Sequence, residues 1–165
     1  PKTIQPLQRK NIPLLVKSFI NPEGEGTLIS ADGNSIYPPV VVLEMNQILL
    51  QISTRDFSFV AEHHLSDIFK KFADVRVKVN MMQNSAISFS ACITNQADKV
   101  DRLLASLRDQ FKVDADDDLE LLTIRHYNDS ILHELKRNRI IILEEKLSDT
   151  VQMITKRVPQ LKMKA

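Results

Sequence analysis

The sequence predicts an α+β fold in which antiparallel strands form the sheets and helices cover them. Two stretches, residues 75–81 and 87–94, place an apolar residue at every second position, as half-buried strands do. A later stretch instead repeats its apolar residues every three or four positions, which indicates an amphipathic helix: Val100, Leu103, Leu104, Leu107 and Phe111. Because the two periods alternate along the chain, strands and helices belong to the same domains.

The order of these elements over residues 40–126 predicts a ferredoxin-like unit. Strands are expected at 40–43 and 47–53, joined by a tight turn at Glu44-Met45-Asn46. Ser58 is the expected N-cap of a helix over 58–73, and Asn95 opens a second helix. An acidic turn at 114–118 then leads into a strand at 119–126. The resulting β-α-β-β-α-β order is the split βαβ arrangement, with both helices on one face of an antiparallel sheet.

The remaining residues predict a shortened second copy and a connector before the first. After strand 119–126, a helix at 128–137 and a hairpin of strands 139–143 and 150–155 give β-α-β-β, without a final helix. Before the first unit, a helix at 3–10 and a strand at 12–20 lead to the breakers Asn21-Pro22, Gly24 and Gly26, and Asp32-Gly33-Asn34 predicts a turn. The predicted division is therefore a connector at 1–29, units at 30–118 and 119–157, and a tail at 158–165.

Composition excludes several classes of function. The net charge is +1, with no clustered basic face, which argues against a nucleic-acid partner. No apolar run approaches the roughly 20 residues that cross a bilayer. The single Cys92 cannot form an internal disulfide and suits a reducing, cytoplasmic environment. His63 and His64 are adjacent and point to different sides of a helix, so the sequence predicts no metal site.

Four segments carry a resemblance to a known family. Residues 12–29 read IPLLVKSFINPEGEGTLI, and this segment resembles the end of the catalytic domain of aspartate kinases, where an NP…GT segment leads into the regulatory half. Three further segments resemble the tandem ACT domains that follow it: FVAE at 59–62, VNMMQNSAISFS at 79–90 and VDADDDLELLTI at 113–124. Together these segments extend the resemblance over most of the chain.

The resemblance implies a regulatory role rather than catalysis. The opening residues PKTI look like the remainder of a motif that precedes the connector in this family, so we expect a catalytic domain outside this chain. It also implies feedback inhibition by an amino-acid effector, lysine or threonine, a homodimer formed through ACT sheet edges, and a kinase domain of the same protein as partner. ATP and magnesium are expected only for that absent domain, and no cofactor is expected in this chain.

The resemblance implies an effector site at an interface, where two loops face each other across a pair of ACT units. A bound amino acid offers a carboxylate, which suits free N–H groups at a helix N-terminus, and an ammonium group, which Asp56 or Asn80 can accept. The predicted effector-binding residues come from the strand-to-helix loop and the following hairpin: Ser53, Thr54, Asp56, Phe57, Ser58, Asn80, Gln83, Asn84 and Ser85.

Other interpretations of the same residues stay open. Asp56 and Ser58 could simply cap a helix, and Asn80 could face water. The whole chain could then be an ACT-type dimerisation module without a ligand. An RNA-binding domain is a weaker hypothesis, because the central strands offer Phe89 alone for stacking on bases.

Overall fold

The computed structural model describes residues 4–31, 37–56 and 58–158, and the chain divides into compact units of residues 1–38 and 39–165. The first unit holds a short helix, α1 (Gln5–Arg9), and an antiparallel pair of strands, β1 (Leu14–Val16) and β2 (Thr27–Ile29). The predicted strand at 12–20 is thus only three residues long. It ends because Ser18 Oγ accepts the N–H groups of Ile20 and Asn21, at 3.3 Å each, and turns the chain.

Glycine is required at one position of this first unit. Gly26 has φ of +74°, and a Cβ there would lie 2.6 Å from the carbonyl oxygen of Val16. A side chain at this position would therefore push β1 and β2 apart. The predicted turn at Asp32-Gly33-Asn34 lies outside the described residues.

The second unit is built on one six-stranded antiparallel sheet. Its strands are β3 (Val40–Thr54), β4 (Val79–Asn84), β5 (Phe89–Thr94), β6 (Phe111–Arg125), β7 (Arg139–Lys146) and β8 (Thr150–Arg157). Three helices connect them: α2 (Glu62–Asp74), α3 (Ala97–Arg108) and α4 (Asp129–Lys136). The spatial order is β4-β5-β3-β6-β8-β7, so the two long strands lie side by side in the centre.

Neither turn predicted within these long strands exists. The segments at Glu44–Asn46 and 114–118 are parts of continuous 15-residue strands, and the pairing of β3 with β6 shifts register there instead. Asn46 and Asp118 take left-handed φ values of +58° and +56°. Asn and Asp tolerate this conformation, which makes them frequent both in turns and at β-bulges. The sequence pattern marked the irregularity correctly but not its kind.

These bulges divide the sheet into two ferredoxin-like sets of four strands. The second half of β3 pairs with β5 on one side and the first half of β6 on the other, and β4 completes that set. The second half of β6 pairs with β8, which pairs with β7. The second ferredoxin-like set, which residues 119–157 begin, is βαββ along the chain, as predicted. In space it gains a fourth strand, because residues 40–44 pair with Leu121–Arg125.

Two of the helices begin later than predicted and cover the first set of strands. The helix expected from Ser58 begins at Glu62, and the one expected after Asn95 has Gln96 as its N-cap. Ile68 and Phe72 of α2 and Leu103 and Leu107 of α3 pack on one face of the sheet, against residues that include Leu50 and Ile52 of β3. In the second set, Leu132 of α4 covers Ile124 and Met153.

The opposite face of the sheet encloses a core of its own. All six strands contribute to this core, through Leu49, Met81, Cys92, Leu119, Leu121 and Ile154, with Ile142 and Leu143 packed against them. Because both edge strands, β4 and β7, take part, the sheet must curl around this cluster. Burial raises the pKa of the Cys92 thiol to about 12, so this thiol has a packing role rather than a reactive one.

Membrane-crossing and metal-binding features were searched over residues 4–31, 37–56 and 58–158. None of the helices in these ranges is long and apolar enough to cross a bilayer. The same residues contain no cluster of three or more His, Cys, Asp or Glu side chains that could hold a metal ion.

Candidate functional site

A cavity of about 700 Å³ opens where β3 ends. Three chain segments meet there, because the antiparallel neighbours β5 and β6 begin at the end of the sheet where β3 finishes. Ser53, for example, is paired in register with Lys112. The cavity, called the β3-end pocket below, is lined by Ser53, Thr54, Arg55, Ser58, Ile87, Ser88, Arg108, Phe111, Lys112 and Val113.

The loop after β3 is held by its own polar side chains. Thr54 Oγ1 donates to the carbonyl oxygen of Ser58 at 2.6 Å. Asp56 Oδ1 accepts from the Ser58 hydroxyl at 2.7 Å and from the Ser58 N–H at 3.1 Å. These bonds from Ser58 hold the pKa of the Asp56 carboxyl below its ordinary value, because they stabilise the charged form. Asp56 therefore fixes the loop that shapes the pocket.

Ser58 is not the helix cap that the sequence predicted. Helix α2 has Ala61 as its N-cap, and the Ala61 N–H donates to Nδ1 of His64 at 3.1 Å. Since the helix starts at Glu62, the free N–H groups of its first turn lie beyond the loop at 53–58. A ligand in the β3-end pocket would therefore contact side chains. The sequence had predicted contacts with the free N–H groups of a helix N-terminus.

The hairpin between β4 and β5 forms one rim of the pocket. Ser85 and Ser88 close it through a 2.8 Å bond from the Ser85 N–H to the Ser88 carbonyl and a 3.0 Å contact between their hydroxyls. Ala86 accepts the Val60 N–H at 2.8 Å, which ties the hairpin to the loop after β3. Ser88 lines the pocket directly, so the predicted residue Ser85 borders it.

The other predicted residues fall into different places. Gln83 and Asn84 are exposed near the end of β4, at the same end of the sheet as the pocket, since β4 runs parallel to β3. Asn80 lies near the beginning of β4 and hence at the opposite end of the sheet. Its amide donates to Gln47 Oε1 and to Thr94 Oγ1, both at 2.9 Å. The predicted residue Phe57 lies outside the described residues.

Two further cavities adjoin these groups. Asn80 and Gln47 line a cavity of about 420 Å³ together with Glu44 and Lys78. Asp56 lines a cavity of about 360 Å³, which shares Thr54, Arg55 and Phe111 with the β3-end pocket and also contains His63, His64 and Asp67. The predicted site is therefore split: Ser53, Thr54 and Ser58 come together, and Asn80 belongs to a separate cavity.

Three basic residues of the pocket were missing from the predicted site: Arg55 in the loop after β3, and Arg108 and Lys112 farther along the chain. Arg108 ends α3, and Lys112 follows at the start of β6. The Arg55 guanidinium donates to the main-chain carbonyl of Arg108, which joins this segment to the loop after β3. The predicted β-α-β-β-α-β order contained the signal needed to find Arg108 and Lys112, because it places the start of the fourth strand beside the end of the first.

Two ferredoxin-like units that share one antiparallel sheet have the architecture of tandem ACT domains, and the β3-end pocket lies within the first of these units. Comparison with solved structures gives a more specific result: the chain has the fold of the C-terminal regulatory region of aspartate kinases. No protein-family model matches the chain.

Three solved structures illustrate the likeness. E. coli aspartokinase III, in complex with lysine and aspartate, is 19% identical with a TM-score of 0.68, over 93% of this chain and 38% of that one. Aspartate kinase of Clostridium acetobutylicum is 16% identical with a TM-score of 0.75, over 94% of this chain and 40% of that one.

A third comparison involves a shorter protein. A putative C-terminal regulatory domain of aspartate kinase from Porphyromonas gingivalis W83 is 19% identical with a TM-score of 0.60, over 72% of this chain and 86% of that one. The present chain spans about two fifths of the length of the two larger kinases. At these identities the likeness establishes the fold.

Proposed function

We propose that this chain is the amino-acid-sensing regulatory region of an aspartate kinase. The observation that carries the proposal is the β3-end pocket, because it brings Ser53, Thr54 and Ser58 of the predicted effector loop together with the β4–β5 hairpin. The fold supports it, since aspartate kinases have this fold in their regulatory region and one of them was crystallised with lysine. The effector is an amino acid, with lysine and threonine as the first candidates.

The proposed mechanism is feedback inhibition. An effector that contacts both the loop after β3 and the hairpin at 85–88 would hold these segments together. It can shift the enzyme only by binding one of two arrangements more tightly than the other. The connector, residues 1–29, would carry that difference to a kinase domain of the same protein. That domain would bind ATP and magnesium and phosphorylate aspartate at the start of lysine, threonine and methionine synthesis.

A thermal-shift titration of this chain with lysine, threonine and methionine separately tests the sensing role. A ligand at 100 times its dissociation constant stabilises the folded state by about 2.7 kcal/mol, which is several degrees in melting temperature for a domain of this size. Ser53→Phe, which fills the pocket, is expected to abolish the shift. The matched control, Ser66→Phe on the exposed surface of α2, is expected to retain it. If no amino acid raises the melting temperature, this chain does not sense them.

A second candidate function, an ACT-type dimerisation module without a ligand, rests on the outer strand β4. Strand β4 forms one edge of the sheet, with Met82 on it 54% exposed and Phe69 of α2 nearby 40% exposed. Two copies joined through β4 would cover the β4 edge of each copy and part of this apolar surface. Light scattering coupled to size exclusion distinguishes the functions: a dimer that Met82→Lys disrupts, together with no thermal shift, favours the dimerisation module.

A further inference from the structure

The β3-end pocket is lined by an unbalanced set of charges. Arg55, Arg108 and Lys112 all contribute to its wall, and none of the described residues lining it carries a carboxylate. The three cations come from separate segments, namely the loop after β3, the end of α3 and the start of β6. Their convergence is therefore a product of the fold and not of a local run of basic sequence.

Two carboxylates, Asp56 and Asp114, lie near the pocket without lining it. Asp56 lines the neighbouring cavity, and its Oδ1 accepts two hydrogen bonds from Ser58. Asp114 lies 3.9 Å from the Lys112 ammonium, but both side chains are about two-thirds exposed, so water screens this pair strongly. The Arg55 guanidinium is anchored by its bond to the Arg108 carbonyl. Its position is thus set before any ligand arrives.

The rest of the lining is neutral. Ser53, Ser58 and Ser88 offer hydroxyls that can donate or accept, and Phe111 and Val113 offer apolar surface. An α-carboxylate is matched by the guanidinium groups. A hydroxyl or aliphatic side chain is matched by the serines and the apolar surface. A cationic side chain would meet three like charges, and only neutral hydroxyl oxygens could accept hydrogen bonds from it.

We propose that the β3-end pocket selects amino-acid effectors by charge, accepting those with an uncharged side chain and discriminating against lysine. This inference rests on the proposed sensing function and narrows it to one class of effector. Like charges brought together in a binding site lower affinity for the wrong partner, and such repulsion serves specificity more than overall affinity. Threonine then becomes the preferred candidate of the two effectors.

Norleucine and lysine provide the sharpest test, because norleucine has the same unbranched four-carbon side chain with a hydrogen in place of the ammonium. Isothermal titration of this chain with each of the two, and with threonine, measures the charge preference directly. We expect norleucine or threonine to bind at least about tenfold more tightly than lysine at low salt. The difference should narrow in 0.5 M salt, which screens exposed charges.

Two variants assign the preference to these cations. Arg108→Gln and Lys112→Gln should each weaken binding of the uncharged amino acids and reduce the discrimination against lysine. Both residues are exposed, so the melting temperatures of the unliganded variants should remain close to that of the parent chain. The control Arg102→Gln removes an exposed charge from the same helix α3 outside the pocket and should leave the affinities unchanged.

The outcomes separate this inference from the function it rests on. The charge selection would be overturned if lysine bound as tightly as norleucine, or if neither Arg108→Gln nor Lys112→Gln changed the affinities. Either result would leave the sensing role intact. Absence of binding by all three amino acids would overturn both. Tighter binding of the uncharged amino acids that depends on the two cations, with Arg102→Gln neutral, supports both.

Discussion

The two halves of the six-stranded sheet bury polar groups of different chemistry. In the first half, Gln47 is 1% exposed, and its amide donates to the Met45 carbonyl at 2.9 Å and accepts from Asn80 at 2.9 Å. In the second half, Glu120 is 3% exposed and meets Arg157 at 2.6 Å and Arg139 at 3.5 Å. One cluster is neutral and fully bonded, whereas the other holds a buried charge.

The difference matters for what each cluster contributes. Loss of one partner from a buried ion cluster leaves an uncompensated charge, which costs more than the pair itself contributes. Loss of one partner from an amide cluster leaves only an unsatisfied dipole. Among the described residues, Glu120 Oε2 and Arg139 Nε make no hydrogen bond, although they lie within ion-pair distance. The ionic half is thus the less completely satisfied and the more sensitive to change.

The largest expected effect comes from Glu120→Gln. This change removes the carboxylate that offsets Arg139, whose side chain is only 15% exposed. The free energy of unfolding is expected to fall by about 3 kcal/mol, as measured by urea denaturation. Glu145→Gln, an exposed position on β7, serves as the control and should change stability by less than about 0.5 kcal/mol.

A double variant sharpens the same comparison. Replacing Glu120 by Leu and Arg139 by Met together removes both charges and keeps apolar volume. Most of the lost stability should return, because well-packed apolar residues commonly replace buried ion pairs without loss. If Glu120→Gln and Glu145→Gln have equal effects, the buried charge does not distinguish the two halves.

Asn80→Ala is expected to have the next largest effect. It leaves Gln47 Oε1 without its 2.9 Å amide donor in a buried position, with only the Cys92 thiol at 3.5 Å. The expected cost is about 1–2 kcal/mol in urea denaturation. Asn84→Ala, at an exposed position on the same strand, is the control. A cost equal to that of Glu120→Gln would contradict the proposed ranking of neutral and ionic clusters.

Acid should weaken the second half through a pair nearer the surface. The Lys136 ammonium lies 2.6 Å from Glu144 Oε2, and this bond lowers the pKa of the Glu144 carboxyl in the folded chain. A depressed folded pKa contributes stability above the ordinary pKa of glutamate. That stability, about 0.5 kcal/mol for a partly exposed pair, is lost as the pH falls through the folded value.

Glu144→Gln tests this acid sensitivity. Denaturation at pH 7 and pH 3 should show a smaller loss of stability on acidification for the variant than for the parent chain. Glu134→Gln, an exposed change on α4, should behave like the parent. An unchanged acid response in Glu144→Gln would show that the Lys136–Glu144 pair does not contribute.

Residue pattern predicted the element types well, because periodicity reports which face of an element is buried. It could not predict that Asn46 and Asp118 lie in bulges, since the same residues suit turns. Nor could it reveal that residues 40–44 form the fourth strand of the second ferredoxin-like set, because that strand depends on pairing between residues more than 75 positions apart. Because β3 and β6 pair along most of their length, Asn46 and Asp118 form bulges within continuous strands and not turns between strands.

The lining of the β3-end pocket could be predicted only in part, for a similar reason. Ser53 and Thr54 end β3 and Ser58 lies in the loop that follows, so a local argument was enough to place them together. Arg108 and Lys112 reach the pocket only through the antiparallel pairing of β3 with β6. Asn80 was predicted as an acceptor for the ammonium of an effector held by this loop, but its side chain lies at the opposite end of the sheet from Thr54.

The smallest expected effect belongs to the first half, where Asp56 is held by hydrogen bonds and not by a cation. The Ser58 hydroxyl and N–H lower the pKa of the Asp56 carboxyl. Ser58→Ala keeps the N–H donor and removes the hydroxyl, so the pKa should rise towards the ordinary value of aspartate without reaching it. An NMR titration of the Asp56 side-chain carboxyl measures this directly, with Ser66→Ala as control.

The sign of the accompanying stability change follows from that direction. The bonds from Ser58 favour folding above the ordinary pKa of aspartate, and this contribution is lost as the pH falls through the lowered folded value. Because Asp56 is exposed, solvent screening keeps the effect below that of Lys136–Glu144. A rise in the Asp56 pKa without a measurable change in unfolding would show that the hydroxyl shapes the pocket loop without stabilising the fold. An unchanged pKa would show that the Ser58 N–H alone holds the carboxylate.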